Sequence, residues 1–144
     1  MFAEFELQIH QHVEQGTPLT PQLLKEDYRA LNAKYFGAAT IIDKEIEIEW
    51  ARIPHFYYNF YVFQYATGIS AALALSDKVV NGNEGDREAY LSFLKGGSSR
   101  YPIDMLKLAG IDMTSPAPVK AAIATFDNLL DELELVLKEV AIKN

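Results

Sequence analysis

Apolar residues recur every three or four positions along most of this chain, which is the spacing expected for α-helices. The first such pattern covers residues 2–15 and ends at Gly16. The second begins at Thr20-Pro21, an N-cap followed by proline at the first helical position, and ends at Gly37. Four further helices are expected: the tyrosine-rich segment that runs to about Val80, residues 86–95, a short helix that ends at Gly110, and residues 118–141. The pattern therefore predicts an all-α fold of about six helices.

Residues 41–50, IIDKEIEIEW, break this pattern, because apolar and acidic residues alternate over their second half. Alternation is typical of a β-strand, but no other segment of the chain is suited to pair with it. We therefore expect an extended connector. Its acids Glu45, Glu47 and Glu49 would share one face, either as a solvated edge or as groups that bind a cationic substrate end or support a ligand.

The chain has 144 residues, so we expect a single helical domain over residues 1–144. With 13 basic and 20 acidic residues the formal net charge is -7, which argues against a nucleic-acid partner because such binding needs a basic face. The longest apolar run, residues 60–75, is interrupted by polar residues and glycine and is too short to cross a membrane. The N-terminal segment carries acids where a secretion signal carries bases, so we expect a cytoplasmic protein.

The most informative segment, residues 50–72, contains one histidine, four tyrosines and three phenylalanines. If it is helical, Tyr58, Tyr61 and Tyr65 share one face, Tyr57 lies beside Tyr61, and His55 stands at the mouth of the helix. A phenol donates a hydrogen bond without carrying charge at neutral pH, so several phenols on one face suit a peptide backbone or a developing oxyanion. The alternative is a core stripe, which would bury several hydroxyl groups that need partners.

No metal site is expected in this chain. Without cysteine there is no thiolate ligand and no disulfide, and the zinc motif HExxH does not occur. His10 and His12 are two positions apart on a helix, so their rings point about 200° apart, as exposed surface histidines. Gly96-Gly97-Ser98-Ser99 lacks the lysine of a phosphate-binding loop and is interpreted as a helix terminus followed by a mobile turn.

Four strings occur in order along the chain: FAEFE (2–6), YFG (35–37), WARIPHFYYNFYVFQYATG (50–68) and GSSRYPIDMLKLAGIDM (97–113). On these strings the chain resembles the C-terminal part of oligoendopeptidase F, a zinc peptidase of the thimet oligopeptidase superfamily. The resemblance is specific because the string from residue 53 to residue 68 is long and unusual in composition. It implies the C-terminal portion of a thimet oligopeptidase-like fold.

The resemblance also implies a chemistry, in which a zinc-bound water assisted by a glutamate attacks the scissile carbonyl of a short peptide. His55 would be the substrate-binding histidine, and the catalytic tyrosines would be drawn from Tyr58, Tyr61 and Tyr65, with the role of each left open. The groups expected to contribute to substrate binding are Tyr57, Gly96 and Gly97.

In the family the zinc ligands, HExxH and a downstream glutamate, lie upstream of where this chain begins. The resemblance therefore implies that a zinc-bearing N-terminal portion of the same protein holds the metal and that this chain alone binds no zinc and cleaves no peptide. An apolar face left exposed would favour a homodimer. Two other interpretations stay open at this point: a stand-alone helical module that binds peptides without catalysis, and a purely structural helical domain.

Overall fold

Six α-helices and two 3₁₀ helices make up the regular structure of residues 1–142, the part of the chain that the computed structural model describes. Their bounds are α1 (Phe2–Glu14), α2 (Pro21–Phe36), a first 3₁₀ helix (Lys44–Arg52), a second 3₁₀ helix (Pro54–Tyr57), α3 (Phe63–Asn81), α4 (Glu84–Gly96), α5 (Pro102–Leu108) and α6 (Ala117–Ile142). No strand is present within those residues, so the predicted all-α class is confirmed.

Local signals set both ends of α2 where the sequence predicted them. The Thr20 side chain accepts a hydrogen bond from the Leu23 N–H at 3.2 Å, and proline occupies the first turn of α2. α2 ends at Gly37, whose φ of 72° lies in the left-handed region that glycine tolerates. The start of α4 carries a feature that the sequence analysis did not identify, a capping box in which Asn83 and Asp86 bond to each other's backbone.

The predicted extended connector over residues 41–50 is wrong, because residues 44–52 form the first 3₁₀ helix. Ile46 and Trp50 of this helix both pack on the core that contains Phe5 and Tyr28. With three residues per turn, side chains two positions apart point in different directions. The three acids consequently do not share a face. Glu47 accepts a hydrogen bond from Arg29 at 2.9 Å, and Glu49 accepts hydrogen bonds from Tyr28 and Arg52.

The predicted tyrosine-rich helix begins later than expected, at Phe63. His55 and Tyr57 lie in the second 3₁₀ helix, and Tyr58 and Tyr61 lie in the turn that follows it. In this turn Asn59 and Phe60 have φ values of 39° and 58°, which an α-helix cannot accommodate. The expected single helical face of Tyr58, Tyr61 and Tyr65 is therefore not formed, since only Tyr65 lies on α3.

The chain divides into two compact units, Met1–Gln64 and Tyr65–Asn144. In the first unit α1, α2 and the 3₁₀ helices enclose a core formed by Phe5, Tyr28, Leu31, Phe56 and Val62. In the second unit Leu75 of α3 packs with Ala109 and Ile111, and Tyr90 and Phe93 of α4 close over them. A single domain over residues 1–144 stays a prediction.

Within the described residues, no helix combines the length and the apolar character needed to span a membrane. The longest helix, α6, carries an apolar stripe that is exposed. Its members Phe126, Leu129, Leu133 and Val136 are each more than half exposed.

Candidate functional site

Three of the predicted site residues meet in the first unit. The rings of His55 and Tyr61 are stacked with their centroids 5.6 Å apart. Tyr58 makes T-shaped contacts with both rings, with centroid distances of 6.4 Å to His55 and 6.0 Å to Tyr61. We call these three side chains the ring cluster. It places one imidazole and two phenols on a single patch, which is the combination that the sequence led us to expect.

The ring cluster is a surface feature and not part of the core. Tyr58 is 60% exposed and Tyr61 is 39% exposed, whereas His55 is half-buried. The segment is fixed by its apolar neighbours, because Phe56 and Val62 are both buried in the first core. The interpretation of the tyrosines as a core stripe is therefore wrong for Tyr58 and Tyr61 within the described chain.

Glu6 of α1 holds the backbone of the turn that carries the cluster. Its carboxylate is buried, and its two oxygens accept hydrogen bonds from the N–H groups of Tyr61 at 2.9 Å and Val62 at 3.0 Å. Hydrogen bonds from N–H groups to an ionised carboxylate are among the stronger ones in proteins. Sequence reasoning missed this residue because its partners are 55 and 56 positions away.

His10 lies one helical turn after Glu6 and contacts side chains of the same loop, those of Asn59 and Phe60. Its ring stacks on Phe60 with a centroid distance of 3.9 Å, and its Nε2 lies 3.2 Å from Oδ1 of Asn59. Its Nδ1 donates to the backbone oxygen of Glu6 at 2.8 Å. The Nε2 atom of His12 instead lies within hydrogen-bond distance of the Asp27 carboxylate, at 2.9 Å. The prediction of exposed surface histidines is therefore wrong, because both rings are half-buried and each contacts a partner.

The backbone of this turn is strained. Asparagine tolerates the left-handed region, but phenylalanine at φ 58° costs about 1–2 kcal/mol because its Cβ approaches the following carbonyl oxygen. Strain of this kind persists only where surrounding contacts determine the conformation. Here the Glu6 carboxylate and the His10 ring supply those contacts.

Of the remaining predicted site residues, Tyr57 directly precedes this turn, and Tyr65, Gly96 and Gly97 belong to the second unit. The Tyr57 hydroxyl donates to the backbone oxygen of Ala51 at 3.2 Å. Tyr65 lies in the first turns of α3 and is 58% exposed. Gly96 is the last residue of α4, and Gly97 follows it with a φ of 52°.

Gly96 has a packing role in the second unit. A Cβ added at this position would collide with the methyl group of Met105 on α5. Because this methyl group is the end of a flexible side chain, Met105 would have to shift to accommodate the added Cβ. A contribution of Gly96 and Gly97 to substrate binding stays a prediction.

No metal centre is formed by the part of the chain that the structure describes. Among residues 1–142 there is no group of three or more histidine, aspartate or glutamate side chains placed to hold a metal ion. His10 stacks on Phe60, and His12 contacts Asp27. Of the acids in the first 3₁₀ helix, Glu47 binds Arg29, and Glu49 binds Tyr28 and Arg52. The donor set present here does not fit a catalytic zinc, which needs three protein ligands.

The sequence model of peptidase family M3 matches residues 1–125 of this chain. The chain belongs to peptidase family M3. This M3 chain is 57% identical over 140 residues to Oligopeptidase PepF of Bacillus subtilis, a match that covers 97% of the chain and 21% of the relative. It is 50% identical over 138 residues to the Oligoendopeptidase F homolog of Lactococcus lactis subsp. lactis, covering 96% of the chain and 23% of that protein.

A solved structure supports the M3 fold directly. The crystal structure of oligoendopeptidase-F from Enterococcus faecium superposes with a TM-score of 0.85 at 50% sequence identity. The match covers 94% of this chain and 26% of that one. The resemblance to oligoendopeptidase F is therefore confirmed. The chain spans about a fifth of the length of the curated relatives that it matches.

Proposed function

We propose that this chain forms the C-terminal part of the substrate cleft of an oligoendopeptidase that hydrolyses short peptides. The observation that carries the proposal is the ring cluster, in which His55, Tyr58 and Tyr61 converge on an accessible patch. Membership of family M3 and the names of the relatives, oligopeptidase and oligoendopeptidase, supply the reaction class.

The side chains of the cluster suit the polar groups of a peptide. A phenol donates to the carbonyl oxygen of the substrate, and the bond strengthens as that oxygen gains negative charge during attack. Imidazole can donate through one nitrogen and accept through the other, so His55 can bind a peptide N–H or C=O. We assign the substrate-binding role to His55 and oxyanion stabilisation to the tyrosines Tyr58, Tyr61 and Tyr65, without dividing the tyrosine roles.

The zinc that family M3 implies has no ligand set among the described residues of this chain. When bound, zinc would polarise the scissile carbonyl and supply the attacking water. We propose that the metal is held by an N-terminal portion of the same protein and that the isolated chain does not hydrolyse peptides. What this chain contributes is binding, orientation and hydrogen-bond donation.

A chimaera tests the proposal in a complete enzyme. The matching 140 residues of the Bacillus subtilis relative are replaced by this chain, and cleavage of a short peptide is followed by mass spectrometry. We expect the chimaera to be active, and Tyr61→Phe to lower kcat by about 100-fold, the loss typical when one oxyanion donor is removed. His55→Ala should raise KM, because it removes a group that binds substrate and transition state alike.

Tyr35→Phe is the matched control. Tyr35 is also an exposed tyrosine of the first unit, but its hydroxyl donates to Glu4 at 2.8 Å, away from the ring cluster. Its removal should leave kcat and KM unchanged. Equal kinetics for Tyr35→Phe and Tyr61→Phe would overturn the assignment of the cluster. Saturable peptide binding by the 144-residue chain, together with an inactive chimaera, would favour a peptide-binding module without catalysis.

A further inference from the structure

Glu6 is the most deeply buried acid of the first unit. It is 1% exposed, and a buried carboxylate is costly unless its oxygens are satisfied. Among the ion pairs of the described residues, none includes Glu6. Its two oxygens are instead satisfied by two consecutive backbone N–H groups, those of Tyr61 and Val62.

The arrangement requires a carboxylate. Each oxygen accepts from a different N–H group, so both must be acceptors at once. Glutamine has nearly the same shape, but it would present its own NH₂ group to one of the two donors. The pair of hydrogen bonds therefore tolerates neither a neutral isostere nor a shorter side chain that cannot reach both N–H groups.

A second contact from the same helix acts on the same turn. His10 lies one helical turn after Glu6, and its ring covers the Phe60 ring at 3.9 Å. Glu6 thus holds the turn after the two left-handed residues, and His10 holds the residues themselves. Tyr58 and Tyr61 stand immediately on either side of Asn59 and Phe60, so the path of this backbone sets where both phenols point.

We propose that Glu6, assisted by His10, is a positioning residue that locks residues 58–62 in the strained turn that presents Tyr58 and Tyr61 beside His55. It does not touch the substrate and acts through the two phenols, most directly through Tyr61, whose N–H group it binds. What the tyrosines then do rests on the function proposed above. The locked turn itself is a property of this chain and is measurable without any activity.

The first test is amide hydrogen exchange in the 144-residue chain, read by NMR at single residues. Glu6→Gln should accelerate exchange at the Tyr61 and Val62 amides by at least about tenfold relative to the rest of the first core. Glu4→Gln is the matched control, since it makes the same charge change on the same helix at a carboxylate that binds Lys34 and Tyr35. Exchange at Tyr61 and Val62 that is the same in both variants overturns the proposal.

The second test is kinetic and uses the chimaera. Glu6→Gln should lower kcat by at least about tenfold, because a misplaced donor no longer meets the developing charge. Combined with Tyr61→Phe it should lower kcat little further than Tyr61→Phe alone, since residues that act through one group are not additive. Multiplicative losses would overturn a role through Tyr61, because a general loss of stability would multiply with it.

The two proposals fail in different ways. If Tyr61→Phe lowers kcat while Glu6→Gln behaves like Glu4→Gln in exchange and in kinetics, only the positioning role is overturned. If Tyr61→Phe leaves kcat unchanged, the assignment of oxyanion stabilisation to Tyr61 is overturned, whereas the locked turn is still decided by the exchange measurement.

If Glu6→Gln does not fold, the variant His10→Leu tests whether contacts from α1 hold residues 58–62. It retains the hydrogen bonds of the Glu6 carboxylate and removes the stack on Phe60, the contact with Asn59 and the hydrogen bond to the Glu6 backbone oxygen. Exchange at Asn59, Phe60 and Tyr61 should rise selectively. Unchanged exchange at these three amides would overturn the proposal.

Discussion

A single tyrosine links the first core to the acidic 3₁₀ helix. Tyr28 is fully buried, with its ring 5.1 Å from that of Phe5, and its hydroxyl donates to Glu49 at 2.8 Å. Burial of the hydroxyl, and next its hydrogen bond to the Glu49 carboxylate, raise the pKa of Tyr28 well above its ordinary value. The phenol is therefore held neutral, because a phenolate would face both a low dielectric and a second negative charge.

This raised pKa predicts a loss of stability at high pH. A group whose folded pKa lies above its unfolded pKa contributes stability that is fully present below the unfolded value, about 10 for tyrosine, and declines above it. The free energy of unfolding should accordingly fall as the pH rises beyond 10, measured by urea titration. In Tyr28→Phe it should be about 1.5–3 kcal/mol lower at neutral pH, where the hydrogen bond to a charged group is lost.

The control for this prediction is Tyr35→Phe, which removes an exposed phenol that also bonds to a carboxylate. The hydrogen bond to Glu4 raises the pKa of Tyr35 as well, but the phenol is exposed and solvent screens the interaction. The alkaline stability curve of this variant should therefore stay close to that of the unmodified chain. An equally steep loss above pH 10 in Tyr28→Phe would show that another group is responsible, and the explanation by Tyr28 would be wrong.

At the scale of elements, the sequence predicted what local chemistry decides. Thr20, Pro21 and Gly37 fixed both ends of α2, and the apolar stripe of α6 gave its extent within a residue or two. These features depend on residues that are close together in the sequence, so they can be predicted from it. The helical face expected for the tyrosines failed for the opposite reason. The N–H groups that a continuous helix would direct to its own carbonyls are taken by Glu6, a residue of another helix.

The candidate site likewise contains residues that the sequence predicts and one residue, Glu6, that only the fold reveals. His55, Tyr58 and Tyr61 could be found from the sequence because an aromatic run with one histidine is unusual and matches a family string. Glu6 lies inside another such string, FAEFE, yet nothing in its surroundings distinguishes it from Glu4. Only the fold shows that Glu4 faces Lys34 at the surface and Glu6 faces backbone N–H groups in the interior.

The start of α4 gives a prediction at the element scale. The hydrogen bond from Lys78, and then that from the Asn83 backbone, hold the pKa of Asp86 below its ordinary value. A carboxylate with a lowered folded pKa contributes stability above its unfolded pKa of about 3.9 and loses it as the pH falls through the folded value. Asp86→Asn should therefore unfold more easily than the unmodified chain at pH 7, with the difference disappearing toward pH 2.

Circular dichroism during thermal unfolding at several pH values measures this difference. Asp104→Asn is the control, because Asp104 is an acid in the first turn of the neighbouring α5 and forms no ion pair among the described residues. A difference between Asp86→Asn and the unmodified chain that persists unchanged at pH 2 would contradict the role given to the Lys78 ion pair.

At the scale of the whole molecule, the exposed stripe of α6 is what the limited span of the chain leads one to expect. Large contiguous apolar patches are rare on stable monomers and mark surfaces that another part of the protein covers. The chain spans about a fifth of its curated relatives, so in a longer protein the remaining residues are available to cover this helix. In the chain taken by itself, a second copy is the available partner.

We therefore expect the 144-residue chain to self-associate through α6. Light scattering should give a mass that rises above 16.2 kDa as the concentration is increased from micromolar to millimolar. Leu129→Gln combined with Leu133→Gln removes two apolar side chains from the stripe while keeping strong helix formers, and it should restore the monomer mass. Glu132→Gln, an exposed position between them, should leave association unchanged. A constant mass of 16.2 kDa at every concentration would mean that the stripe, although exposed, is too narrow to bind a second copy.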